Sequence, residues 1–184
     1  MAYDASKVTT AKQGTIGAVW RAPKGTTLPT DATTALGAEF VNLGHVSEDG
    51  WTVSDSKEST TIKNMDGTDV FSVQTGVTST IHVKLIEGLN PEVLKTAHGT
   101  ENVTGTLADG ISVTVNTDEP EEFVWVFETI LRDGVLKRIV VPDGKVTETG
   151  DITYKMDEPV AYDFTITSLA DAAGNIRYEH MKAA

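Results

Sequence analysis

No cysteine occurs among the 184 residues, so a disulfide framework, a thiolate metal site and a cysteine nucleophile are all excluded. No apolar run approaches the length that would cross a bilayer; the longest, Phe123 to Phe127, has the length of a strand. Basic residues are also scarce: 15 Lys and Arg stand against 27 Asp and Glu, for a formal net charge of −12. Binding to nucleic acid by neutralising phosphates needs clustered Lys and Arg, and this balance argues against it. An acidic surface repels nucleic acid rather than holding it, and acidity also serves solubility. The opening residues carry Asp4 and lack an apolar core, unlike a secretory signal.

What is present reads as strands. From Val77 to Glu87, Val77, Ile81, Val83 and Leu85 alternate with Thr78, Thr80, His82 and Lys84, the period of a half-buried strand. The same alternation recurs over Ile111, Val113 and Val115, and over Tyr162, Phe164 and Ile166. Phe123-Val124-Trp125-Val126-Phe127 is apolar on both faces, as expected of a strand covered on both sides or meeting a neighbouring subunit. It continues through Leu131 to Asp133-Gly134, a pair that tolerates positive φ in a tight turn, after which Leu136 to Val141 runs back. Pro142-Asp143-Gly144 predicts a second turn. Lys145 to Met156 predicts a further extended segment with Ile152, Tyr154 and Met156 on one face.

One helix is announced. Asn90 is placed to cap it, Pro91 suits its first position, Glu92 its positive end, and Gly99 its stop, with Val93, Leu94 and Ala97 on the packed side. The fold class expected is mainly β, with two packed antiparallel sheets (a sandwich or partial barrel) and one short α-helix. Ser54 to Asp69 is polar and mixed in charge, so it predicts a long loop or a protruding hairpin. The N-terminal arm, 1–14, and the C-terminal tail, 171–184, are poor in core residues, although Ile176 and Tyr178 suit a last strand. The whole of 1–184 is expected to be a single domain carrying these extensions.

Reactive constellations are scarce. His45, His82, His98 and His180 are scattered, with no spacing that fits a metal site. Asn64, Asp66 and Gly67 stand in the order of a calcium loop, but Ile62 occupies the first ligand position and no closing glutamate follows, so an ordinary Asp-Gly turn is expected. Asp118, Glu119, Glu121 and Glu122 around Pro120 read as a solvated turn rather than as paired catalytic carboxylates. No Gly-rich phosphate loop or nucleophile elbow is present. No cofactor and no enzymatic activity is expected.

Several segments together resemble the major tail tube proteins of long-tailed, siphovirus-type bacteriophages. They are Gly17-Ala18-Val19-Trp20-Arg21-Ala22-Pro23-Lys24-Gly25-Thr26 with Pro29, Asp31 and Leu36; Phe40-Val41-Asn42-Leu43-Gly44-His45-Val46-Ser47-Glu48-Asp49-Gly50; and the closing Tyr162 to Thr167 strand with the turn at Asp171 to Gly174. The resemblance implies a subunit that joins its sheet edges with those of five copies, stacks as hexameric rings, and forms a tube through which DNA passes without specific binding. The tail tip initiator, a length-controlling protein and the tail terminator would be its partners, with assembly in the host bacterial cytoplasm. It further implies that Ser54 to Asp69 reaches another subunit or ring, making Glu58, Lys63, Asp66 and Asp69 contact candidates that set register, together with Trp20 and Tyr178. Two other readings stay open: the inner tube of a contractile injection machine, which a neighbouring sheath gene would favour, and a monomeric β-sandwich binding a cell surface through Trp20, Trp51 or Trp125.

Overall fold

A computed structural model of the chain describes residues 3–14 and 17–183. The ends of the predicted arm and tail, residues 1, 2 and 184, lie outside the described residues. In chain order the strands are β1 (Ala11–Gln13), β2 (Val19–Pro23), β3 (Val41–Asn42), β4 (Val46–Lys63) and β5 (Asp69–Leu85). The helix α1 (Pro91–His98) follows, then β6 (Val103–Thr106), β7 (Gly110–Val113), β8 (Glu122–Leu131), β9 (Leu136–Thr149), β10 (Tyr162–Leu169) and β11 (Tyr178–Lys182). The expected class is the one observed: a nine-stranded antiparallel sheet, a two-stranded sheet of β6 and β7, and one short α-helix.

The large sheet runs β3-β2-β8-β9-β10-β5-β4, with β1 beside β8 and β11 beside β9. In a flat sheet β8 and β4 would lie about 19 Å apart, four strand spacings. The rings of Trp51 on β4 and Phe127 on β8 are instead 5.6 Å apart. The sheet therefore curls over its own concave face as a partial barrel, and its end strands β3 and β4 do not pair with each other.

Two buried clusters fill the two faces. On the concave side Ile81, Val83 and Leu85 of β5 meet Phe164 and Ile166 of β10, Val141 of β9, and Phe123, Trp125 and Phe127 of β8, closed by Val93 and Leu94 of α1. On the convex side Ala22, Val124, Val126 and Val140 lie under Phe40, Leu28 and Leu36 of the 24–40 segment. The chain itself thus covers both faces of the apolar run Phe123–Phe127, which is why the run shows no alternation. Asn90 caps α1 as expected, its side chain accepting from the Glu92 N–H at 3.0 Å.

Arg138, buried on β9, holds the 24–40 segment down. Its guanidinium donates to Glu128 Oε1 from Nε at 2.8 Å, to the Asp31 carbonyl at 2.7 Å and to the Thr34 carbonyl at 2.9 Å. Asp31 in turn accepts from the backbone N–H groups of Thr33 and Thr34, each at 2.6 Å. Hydrogen bonds from Thr34, first from its side chain and then from its backbone, hold the Asp31 carboxyl well below the usual carboxylate range. Arg138→Met keeps the stem but leaves two carbonyls without their donor and Glu128 without its cation. It is expected to cost about 2–3 kcal/mol, read as a fall in the urea midpoint without a change in slope.

Three expectations need correction. Pro142-Asp143-Gly144 is no turn but lies inside β9, at a register shift against β8 between Phe123 and Trp125. The missing N–H of Pro142 falls where a bulge interrupts the ladder, and a Cβ on Gly144 would stand 2.6 Å from Trp125 Cδ1. The extended segment of Lys145 to Met156 ends as a strand at Thr149; Ile152 packs on the concave core while Tyr154 and Met156 are exposed. The strand expected from Ile111 to Val115 stops at Val113.

Candidate assembly surface

Of the two readings of Ser54 to Asp69, the protruding hairpin is the one formed. β4 and β5 pair from Val46 opposite Leu85 out to Lys63 opposite Asp69, around a turn in which Asn64 Oδ1 accepts from the N–H groups of Asp66 at 3.0 Å and Thr68 at 2.9 Å. β10 supports β5 only as far as Ser79. Beyond that point the two strands stand alone as an arm of residues 56–78, reaching roughly 25 Å at ~3.3 Å per residue.

The arm has two unlike faces. Ile62 pairs with Phe71 and Thr60 with Val73, so Ile62, Phe71 and Val73 share one side. Ser59, Thr61, Ser72 and Gln74 form the other. Ile62 is 52% exposed and Phe71 62%, with Met65 at the tip fully exposed. A lone two-stranded hairpin is marginal in water, and an uncovered apolar face adds a further reason for a covering surface. The long outer edge of β4 also offers unpaired backbone groups, since among the described residues β4 pairs with β5 alone.

The root of the arm is tied to the C-terminal segment. Arg177 donates from Nη1 and Nη2 to the two Asp55 oxygens, both at 2.9 Å, and from Nη1 to Ser79 Oγ at 3.1 Å. The buried Ser79 hydroxyl donates to Asp55 Oδ1 at 2.6 Å. Glu179 accepts from Arg177 Nε at 3.0 Å and from Lys137 at 2.8 Å. Behind this cluster Tyr178 rests on the convex core, and its hydroxyl donates to Asp171 at 2.5 Å.

Hydrogen bonds from Arg177, then Ser79, hold the Asp55 carboxyl down to about 2. A depressed carboxyl contributes stability that is complete above its unfolded value near 3.9 and is lost as pH falls through the folded value. Asp55→Asn is therefore expected to lower stability by about 1 kcal/mol at neutral pH, solvent screening included, and by progressively less between about pH 4 and pH 2. Urea titrations of the two proteins across that window check it.

The predicted contact residues fall into two groups. Glu58, Lys63, Asp66 and Asp69 all lie on the arm; Lys63 and Asp69 form an exposed ion pair at 3.0 Å, and Asp66 is in the tip turn. Trp20 and Tyr178 lie elsewhere, each half-buried against the convex core, on β2 and β11 with β8 and β9 between them. Sequence reasoning missed Ile62, Phe71 and Val73, and it missed Asp55, Ser79 and Arg177. Phe71 and Val73 keep the same spacing of two as Val77, Ile81 and Val83, a signal that could have carried the strand outward from Val77; in the structure a register shift between Glu58 and Ser59 then puts Val73 and Val77 on opposite faces.

The acidic run is dispersed rather than gathered into a catalytic pair. Glu119 joins Lys145, Glu121 accepts from the Thr100 N–H at 2.7 Å, and Glu122 meets Lys24 at 2.6 Å. Among the described residues no helix is long and apolar enough to cross a membrane, and no group of three or more His, Cys, Asp or Glu side chains is placed to hold a metal.

The family model for phage tail tube proteins matches residues 1–183. The chain belongs to the phage tail tube protein family. No curated protein matches it. A tail tube protein is a structural subunit of the virion tail that assembles with copies of itself and with other tail proteins into a tube. For such a subunit the surfaces of interest are those left uncovered by its own chain: the apolar face of the arm and the outer edge of β4.

Proposed function

We propose that this tail tube protein forms rings of six subunits, that the rings stack into the tail tube, and that DNA passes along the channel during ejection without specific binding. The observation that carries the reading is the amphipathic arm: an uncovered apolar face on a hairpin projecting beyond the body, in a chain whose family builds tubes. The outer edge of β4 supports it, because cyclic pairing between copies completes backbone groups that an isolated sheet leaves open. The net charge of −12 suits a channel that repels phosphate rather than retaining it.

In this reading 1–184 is one tail tube domain, the arm docks on a neighbouring copy through Ile62, Phe71 and Val73, and Glu58, Lys63, Asp66 and Asp69 set its register around that contact. Trp20 and Tyr178 serve the convex face. The tail tip initiator nucleates the first ring, a length-controlling protein sets the extent of the stack, and a tail terminator ends it, in the cytoplasm of the host bacterium.

Electron microscopy of the concentrated protein, alone and with tail-tip nuclei, tests the arrangement. Class averages with sixfold symmetry and an open channel are expected. Another symmetry would refute the hexamer, and protein that stays monomeric under both conditions would refute the tube.

A further inference from the structure

We propose that Arg177 latches the C-terminal segment to the root of the arm, so that the two open and close as one unit. The arm leaves the body where β10 stops supporting β5, at Ser79. At that level Arg177 bridges both sides of the hairpin, holding Asp55 on β4 with two hydrogen bonds and Ser79 on β5 with one. Arg177 is itself fixed from behind, because β11 pairs with β9 from Tyr178 opposite Val140 to Lys182 opposite Leu136. The charged groups facing the guanidinium are Asp55 from β4 at the root of the arm and Glu179 from its own segment, and Glu179 is also held by Lys137 of β9.

A planar guanidinium matched to a carboxylate by two parallel bonds fixes direction as well as distance, which a lysine at this position would not do. The 17% exposure of the Arg177 side chain protects the pair from screening better than the exposed Lys63–Asp69 pair near the tip. Nothing else along β11 and its preceding turn ties the segment to β4 by a charge pair among the described residues. Freeing the C-terminal segment therefore removes the brace that aims the arm, and freeing the arm removes an anchor of the segment.

Coupling of this kind is reciprocal. If the arm docks on a second copy, as the proposed function has it, that contact tightens the C-terminal segment of the same subunit, and a partner that peels the segment away loosens the arm. The latch is a property of the single chain, so its test does not depend on tube formation.

Hydrogen–deuterium exchange of the unassembled chain, parent against Asp55→Asn and Arg177→Met, reads the coupling across segments. Asp55→Asn, a change at the root of the arm, is expected to speed exchange of amides 178–182 about fivefold. Arg177→Met, a change on the tail, is expected to do the same at 54–58 and 76–80. Amides 123–127 of the core serve as the fold control in both. Effects confined to the mutated segment would overturn the latch. Should Arg177→Met raise exchange in the core as much as at 54–58 and 76–80, Asp55→Asn decides alone, and exchange at 178–182 that rises no more than that of amides 123–127 in that variant would be sufficient refutation.

Discussion

Replacing Ile62 and Phe71 together by serine is expected to abolish tube formation at concentrations where the parent assembles, while leaving the subunit folded. Both side chains stand more than half exposed on the same face of an arm that no other strand supports. Their loss therefore removes little from the isolated chain; surface changes of this sort usually fall within about 0.5 kcal/mol. Covering them on a neighbouring copy, by contrast, would remove the remaining apolar area from water, worth about 2–3 kcal/mol for the pair at ~25 cal/mol per Å². At 1.4 kcal/mol per tenfold, each added subunit would bind roughly 30- to 150-fold more weakly. Sedimentation across a concentration series measures the shift in critical concentration. A double variant that forms tubes at the parent's threshold would show that this face is not an assembly contact.

Trp125→Ala is expected to carry the largest stability cost of any single substitution in the body, about 3–5 kcal/mol. The side chain is fully buried at the centre of the concave core, edge-on to Phe123 with centroids 6.1 Å apart and stacked with Phe127 at 6.5 Å. Its Nε1 donates to the Gly144 carbonyl at 3.0 Å. That bond spans the bulge where β9 departs from its register with β8, so the variant loses packing and leaves an acceptor at an irregular point of the ladder. Against a typical total of about 5–15 kcal/mol, the loss is a substantial fraction. Trp125→Phe should recover more than half of it, because most of the volume returns without the donor. Urea midpoints for the three proteins decide the matter, and a cost for Trp125→Ala below about 1.5 kcal/mol would mean the core collapses around the gap.

The strands that carry alternating or fully apolar patterns were legible because burial on one or both faces writes itself into the period. Phe123 to Leu131, Leu136 to Val141, Tyr162 to Ile166 and Ile81 to Leu85 all lie where their patterns place them. The helix was legible from Asn90, Pro91 and Gly99, since capping is local chemistry. Two kinds of feature were not. A bulge inside β9 let Pro142-Asp143-Gly144 resemble a turn, and the outer half of β5 was masked by its polar composition, Ser72, Gln74, Thr75 and Gly76, although Phe71 and Val73 keep the spacing of Val77 and Ile81. Long-range polar pairings leave no local trace: Arg177 meets Asp55 across 122 positions and Arg138 meets the Asp31 carbonyl across 107, and neither pair has a spacing that a sequence pattern expresses.

The same distinction applies to the assembly surface. The polar composition of Ser54 to Asp69 correctly pointed to a projection that builds no core, and it drew attention to Glu58, Lys63, Asp66 and Asp69. The apolar side chains Ile62, inside that stretch, and Phe71, just past it, gain their meaning only from pairing across the hairpin, which puts them side by side. In the proposed assembly the charged residues set register around an apolar contact, and the apolar contact supplies the affinity.

Because the chain has no cysteine of its own, a single cysteine introduced by Met65→Cys at the arm tip and labelled with a photo-reactive group gives a direct reading of where the arm goes. In assembled material, illumination is predicted to yield covalent dimers whose joined peptides connect position 65 of one subunit to the surface of another. Tubes in which the label reacts only within its own chain, or with solvent, would contradict the claim that the arm is completed by a second copy.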